Sequence, residues 1–99
     1  MSPLSEHDSA SAGIAQIRAD IGAIDREIVN LLARRVALAR RVGEVKRAAG
    51  NPTLDPAREA AVLRGMVELA REQDLNTEDA RDVFWAVIGM CRRAQTDQP

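Results

Sequence analysis

The feature that most constrains this chain is an apolar run in its first half. Ile14, Ile17, Ile21, Ile24, Ile28 and Leu31, then Leu38, Val42, Val45 and Ala49, recur mostly in alternating steps of three and four. That spacing is a heptad seam along one face of an α-helix. Gly22 and Gly43 each weaken such a helix by about 1 kcal/mol, but neither lies on the seam. Gly50-Asn51-Pro52 ends the helix, with Lys46 and Arg47 suited to the dipole of its last turn. About 36 residues at ~1.5 Å each give a rod of roughly 54 Å. A compact globule of this length has a diameter of only roughly 33 Å. The chain cannot wrap this helix by itself, so the seam predicts a homodimer built along helix 1.

The rest of the sequence is also helical. Asp55 is a good N-cap and Pro56 suits a first helical position, which starts helix 2. Its buried stripe is Val62, Leu63, Met66, Val67 and Ala70, and Leu75 is expected to plug the following turn. Asn76 or Thr77 caps helix 3, with Glu78 and Asp79 in the first turn. Its stripe is Ala80, Val83, Phe84, Val87, Ile88 and Cys91, and it ends near Gln95. No segment alternates with period two. The expectation is an all-α chain of one long and two shorter helices, paired as an intertwined homodimer. Residues 1 to 12 lack periodicity and read as a disordered lead, residues 13 to 95 as the folded domain and residues 96 to 99 as a frayed end.

Composition removes several function classes. A net charge of −1 lacks the footprint of a nucleic-acid binder, despite the basic pairs Arg34-Arg35, Arg40-Arg41 and Lys46-Arg47. Phe84 and Trp85 are the only aromatic residues, too few for a base-stacking platform. One cysteine and one histidine offer neither an internal disulfide nor a zinc cluster, so no metal or cofactor is expected. No apolar run approaches a membrane span, and the amino terminus lacks the pattern of a secretory signal. A cytoplasmic location follows as an expectation.

Polar residues in apolar places carry the functional signal. Arg35 stands where the seam calls for an apolar side chain, and no acid shares the seam within a turn or two. A register-setting or snorkelling arginine is one account. The other is that its counter-charge comes from another chain or an anionic ligand, because an unpaired buried guanidinium is costly. Lys46 follows eleven residues later, displaced by only ~20° around the helix and ~16 Å along it. The two cations could bracket a small polyanion. Arg18 lies ~42 Å from Lys46 along the axis, so it could join such a site only from the partner of an antiparallel dimer. An exposed flanking residue is the plainer account of Arg18. Asp55, Arg58 and Glu59 crowd charge into the start of helix 2, where a cation does not suit the dipole. Gln95 continues the stripe past Cys91, either as the polar end of the helix or as a neutral donor aimed inward.

In their order and spacing these residues resemble the all-helical class of chorismate mutases. The matching pattern is Ile17-Arg18 with Asp25, Leu31-Leu32-Ala33-Arg34-Arg35, Val42-Gly43 with Lys46, Pro52 with Asp55 and Arg58-Glu59, and Cys91 with Gln95. It spans roughly residues 13 to 95. The resemblance implies an intertwined helical dimer with two equivalent sites, converting chorismate to prephenate without cofactor or metal. It implies that Arg35, and Arg18 from the partner subunit, bind the two substrate carboxylates. Lys46 and Gln95 would donate to the ether oxygen, and Asp55 and Glu59 would hold the ring hydroxyl, with Arg58 lining the same pocket. The family usually carries Ser where this chain has Cys91. A thiol is a weaker donor, so packing or a backbone contact is expected there.

The residues suit that chemistry. A unimolecular pericyclic rearrangement needs no nucleophile, proton transfer, metal or cofactor. It needs a clamp on a dianion and a donor where charge develops, and a neutral Gln95 imposes no acidic optimum. Isochorismate pyruvate lyase uses the same scaffold, and against it Asp55 with Arg58-Glu59 looks more like the mutases. 4-Amino-4-deoxychorismate mutase also uses it, and since Asp55 and Glu59 could accept from an amino group or a hydroxyl, the sequence leaves that reading open. A non-catalytic helical dimerisation module is the alternative of another class. The possible partners are thus the dianionic substrate, a second copy of the chain and a pathway enzyme.

Overall fold

The structure is a computed structural model, and it describes residues 6–96. Three helices follow in order: α1 (Glu6–Ala48), α2 (Pro56–Glu72) and α3 (Thr77–Thr96). No strand occurs among the described residues. The chain divides into two compact units, Met1–Ala33 and Arg34–Pro99.

The first unit contributes only α1 residues among those described. Its helix starts at Glu6, earlier than the disordered lead expected over residues 1 to 12. Alanines at positions 10 and 12 favour helix, and Asp8 suits the positive end of the dipole. Residues 1 to 5 of that expected lead lie outside the described residues. The seam side chains Ile14, Ile17, Ile21, Ile24, Ile28 and Leu31 are all exposed, at 48–60%.

The second unit combines the end of α1 with α2 and α3. α1 stops in a Schellman turn. Gly50 takes φ of 74°, its N–H reaches the Arg47 carbonyl at 3.1 Å, and the Asn51 N–H reaches the Lys46 carbonyl at 2.8 Å. Asp55 caps α2, accepting the Arg58 N–H at 3.1 Å, and Pro56 occupies the first position. α2 closes with the same turn, built on Asp74 at φ 55° in place of glycine. The Leu75 N–H there reaches the Ala70 carbonyl at 2.9 Å. Leu75 is 57% exposed, so the backbone closes this turn and the expected leucine plug does not form. Asn76 is the cap of α3, accepting the Asp79 N–H at 2.9 Å. α3 runs one residue past Gln95, to Thr96, and residues 97 to 99 of the expected frayed end lie outside the described residues.

Packing here relies on small side chains. Ala39 on α1 meets Cys91 and Ala94 on α3, flanked by Val36. Gly43 extends that contact, with the backbone of Gln95 directly over it. On α3, Ala80, Val87, Ile88, Cys91 and Ala94 are buried, whereas Val83 is 60% exposed and leaves the expected stripe. α2 offers Val62, Leu63, Met66 and Val67 half-buried and Ala70 buried. One ion pair ties α2 to α3: Arg92 Nε donates to Glu59 Oε2 at 3.0 Å and Nη2 to Oε1 at 2.6 Å. The Arg92 hydrogen bond holds the Glu59 carboxyl below its ordinary range, against the opposing effects of burial and of Asp55.

Two outcomes follow from this packing. A Cβ on Gly43 would lie 2.8 Å from the Gln95 Cα and 2.9 Å from its carbonyl carbon. Gly43→Ala gains about 1 kcal/mol of helix propensity but overpacks at a cost of typically 1–3 kcal/mol, so its urea midpoint should fall. Gly65→Ala meets nothing within 4 Å and should raise the midpoint; equal effects in the two variants would disprove the tight crossing. Because the Glu59 carboxyl is lowered on folding, its contribution is complete above the ordinary carboxyl value of 4.5 and fades as pH falls through the folded value. Glu59→Gln should therefore be less stable than the parent at neutral pH and approach it in acid, as denaturant titrations at the two extremes would read.

Candidate active site

A cavity of about 220 Å³ opens in the second unit, walled by the last turns of α1, the first turns of α2 and the end of α3. α1 supplies Arg35, Ala39, Val42 and Lys46. Their spacing of three, four and seven residues is what puts them on one helix face. α2 supplies Asp55, Arg58, Glu59 and Val62, and α3 supplies Ile88, Cys91, Arg92 and Gln95. Apolar side chains from all three helices thus line the cavity together with charged groups.

The floor of the cavity is fixed by Gln95. Its backbone lies over Gly43, and its carbonyl accepts from Arg47 Nη1. Its side-chain oxygen accepts from Lys46 Nζ at 3.4 Å. An ammonium cannot accept, so this contact turns the Gln95 oxygen toward Lys46 and leaves both Nε2 protons for another acceptor. Lys46 also reaches the Thr53 carbonyl at 3.4 Å. The contacts are long, and Lys46 has no carboxylate within ion-pair distance among the described residues. The same holds for Arg35 and Arg58.

Arg35 instead donates from Nη1 to the Cys91 sulfur at 2.8 Å. The packing expected of Cys91 is present, against Ala39 and Ala94, and the structure adds this side-chain contact to it. The thiol is 5% exposed and serves as an acceptor for a cation, a role that its polarisable sulfur can fill better than that of donor. Asp55 stands at the rim with Oδ1 engaged in the α2 cap. Glu59 is held by Arg92. The lining therefore carries four cations, Arg35, Lys46, Arg58 and Arg92, against two carboxylates, a formal excess of two positive charges.

Of the residues singled out from sequence, Arg35, Lys46, Asp55, Arg58, Glu59, Cys91 and Gln95 all line this cavity. Arg18 belongs to the first unit, where it is exposed. Sequence reasoning missed Arg92. It also missed Trp85, whose ring centre lies 5.5 Å from the Arg92 guanidinium. The signal for Arg92 was present: Ile88, Cys91, Arg92 and Gln95 share one face of α3 at steps of three and four. Among the described residues no group of three or more His, Cys, Asp or Glu side chains is placed to hold a metal ion.

Comparison with known proteins gives concordant matches. The family model for chorismate mutase type II matches residues 17–96. A chorismate mutase of Methanocaldococcus jannaschii is 33% identical over 75 residues, 76% of this chain and 76% of that protein. The T-protein of Haemophilus influenzae is 33% identical over 71 residues, 72% of this chain but 19% of that protein. A bifunctional chorismate mutase/prephenate dehydratase of Aquifex aeolicus is 37% identical over 59 residues, 60% of this chain and 16% of that protein. With a helical fold, a cation-lined cavity and a family match running from the first unit to the end of α3, this chain belongs to the chorismate mutase type II family.

Proposed function

We propose that the cation-lined cavity is where this chorismate mutase rearranges chorismate to prephenate. The observation that carries it is the convergence of Arg35, Lys46, Glu59 and Gln95, from three helices, on one space of about 220 Å³. The cavity's excess positive charge suits a dianion.

The reaction breaks the ether C–O bond and forms a C–C bond in one cyclic movement of electrons. No proton or group leaves the substrate. Bond breaking runs ahead of bond making, so negative charge grows on the ether oxygen. Lys46 Nζ and the two Nε2 protons of Gln95 are the donors available to that oxygen, and a cation there stabilises the transition state more than the ground state. Arg35 offers a planar fork to one substrate carboxylate, exchanging its sulfur contact for a charged acceptor. Asp55 and Glu59 accept from the ring hydroxyl, and Arg58 lines the same end. The protein's contribution is positioning and electrostatics, the two terms a pericyclic step can use.

Arg18 completes the site from a second copy of the chain. Nine seam side chains from Ile14 to Val45 are 44–68% exposed in the single chain. So long an apolar face calls for a partner, and the seam is its own complement in a two-fold pair. Arg18 of the partner subunit then takes the second carboxylate. Among the described residues no helix is long and apolar enough to cross a membrane. The same proposal sets the reaction in the cytoplasm.

Lys46→Ala should lower kcat/KM by about 10²–10³, as loss of one transition-state donor does, and Arg35→Ala should lose most of kcat/KM through the carboxylate clamp, the dimer staying folded in both. Near-parental turnover of chorismate in either variant would refute these assignments. Mixing Arg18→Ala with Lys46→Ala subunits should restore about one functional site per heterodimer, as expected for a site shared between two chains. An inactive mixture of verified heterodimers would refute the shared site.

A further inference from the structure

Glu59 is the acceptor in the cavity whose charge is most closely matched. The Arg92 fork engages both of its oxygens, at 3.0 and 2.6 Å, using one direction on each. A carboxylate has about four acceptor directions, so each oxygen keeps one for a ligand. Arg92 is itself held from outside by the Trp85 ring at 5.5 Å. The Glu59 side chain is 21% exposed and that of Arg92 36%, so the pair is only partly screened by solvent. The charged groups acting on Glu59 are Arg92 from α3, Asp55 at the cap of α2 and Lys46 from α1, while Arg35, Arg58 and the Cys91 thiol line the same cavity.

We propose that Arg92 is a positioning residue that makes this site select a neutral hydroxyl over a protonated amine at the ring carbon facing Glu59. The proposal rests on the cavity being the chorismate site. A hydroxyl needs one oriented acceptor and no net charge. Glu59 neutralised by Arg92 is such an acceptor, fixed in rotamer by the fork. An alkyl ammonium at the same place would meet a carboxylate already paired, with Lys46 acting on the same carboxylate and Arg35 and Arg58 lining the cavity. Selectivity is a difference of affinities, and Arg92 supplies the repulsive half of it. Arg92 also keeps Glu59 ionised in mild acid, since its hydrogen bond is the largest influence lowering that carboxyl.

The test compares chorismate with its 4-amino-4-deoxy analogue from about pH 3.5 to about pH 8 in the parent, Arg92→Met and Arg92→Lys. In Arg92→Met the ratio of kcat/KM for the amine to that for chorismate should rise about tenfold, the equivalent of one pKa unit of interaction. The acid limb for chorismate should move to higher pH, and Arg92→Lys should return both toward the parent. Carboxyl 13C titration of Glu59 should move up in Arg92→Met without substrate. Should Arg92→Met lose its helical circular dichroism, Arg92→Gln gives the same comparison, keeping a donor without the charge. Equal losses on both substrates with unchanged pH profiles would overturn the proposal and leave Arg92 as a contact to groups both substrates share. A parent that turned over neither substrate would instead sink the reading of the cavity on which the proposal depends.

Discussion

The close approach of α1 and α3 is the constraint from which the site follows. Ala39 and Gly43 on one helix and Cys91 and Ala94 on the other leave so little between the two backbones that Gln95 rests directly on Gly43. Larger residues would separate the helices by the width of a side chain. The cations of α1 would then no longer face the donors of α3. Gly43 weakens its own helix, and the structure shows what is obtained in exchange. The position is a contact between main chains, where any Cβ is too large.

A site made this way needs little else to serve a reaction with no chemical intermediates. Each helix brings one kind of group. α1 brings cations at the spacing of its turns, α2 brings carboxylates into the turn where its dipole favours them, and α3 brings a neutral amide and a thiol. Since no proton changes hands, the enzyme has no acid or base to keep poised. On the proposed reading, pH bears on the site through the Glu59 carboxyl, which the Arg92 hydrogen bond lowers.

Much of this could be seen in the sequence, for definite physical reasons. Helix starts are local, so Asp55-Pro56 and Asn76 declared themselves through cap chemistry within four residues. Arg35 and Lys46 were conspicuous because they interrupt or continue a regular pattern. Arg92 was not, because its partner lies 33 residues away and only the packing of α2 on α3 brings them together. Gly43 looked like a defect because the backbone it admits belongs to another helix. Leu75 misled for the opposite reason: an apolar residue after a helix suggests a plug, but the backbone of that turn satisfies itself. The early start of α1 was hidden by the serines of the first residues, whose weak preference the neighbouring alanines override.

The contacts of Lys46 have a further consequence. Its ammonium rests on two carbonyl-type oxygens, those of Thr53 and Gln95, both at 3.4 Å. These are long and poorly bonded, yet they hold the half-buried lysine at the cavity wall. A ligand oxygen arriving there would replace weak neutral acceptors and would not have to separate an ion pair. The lysine need not swing in from solvent as charge grows. On the proposed reading reorganisation is small where the field is needed, because Lys46 already lies in the cavity wall with no carboxylate within ion-pair distance among the described residues.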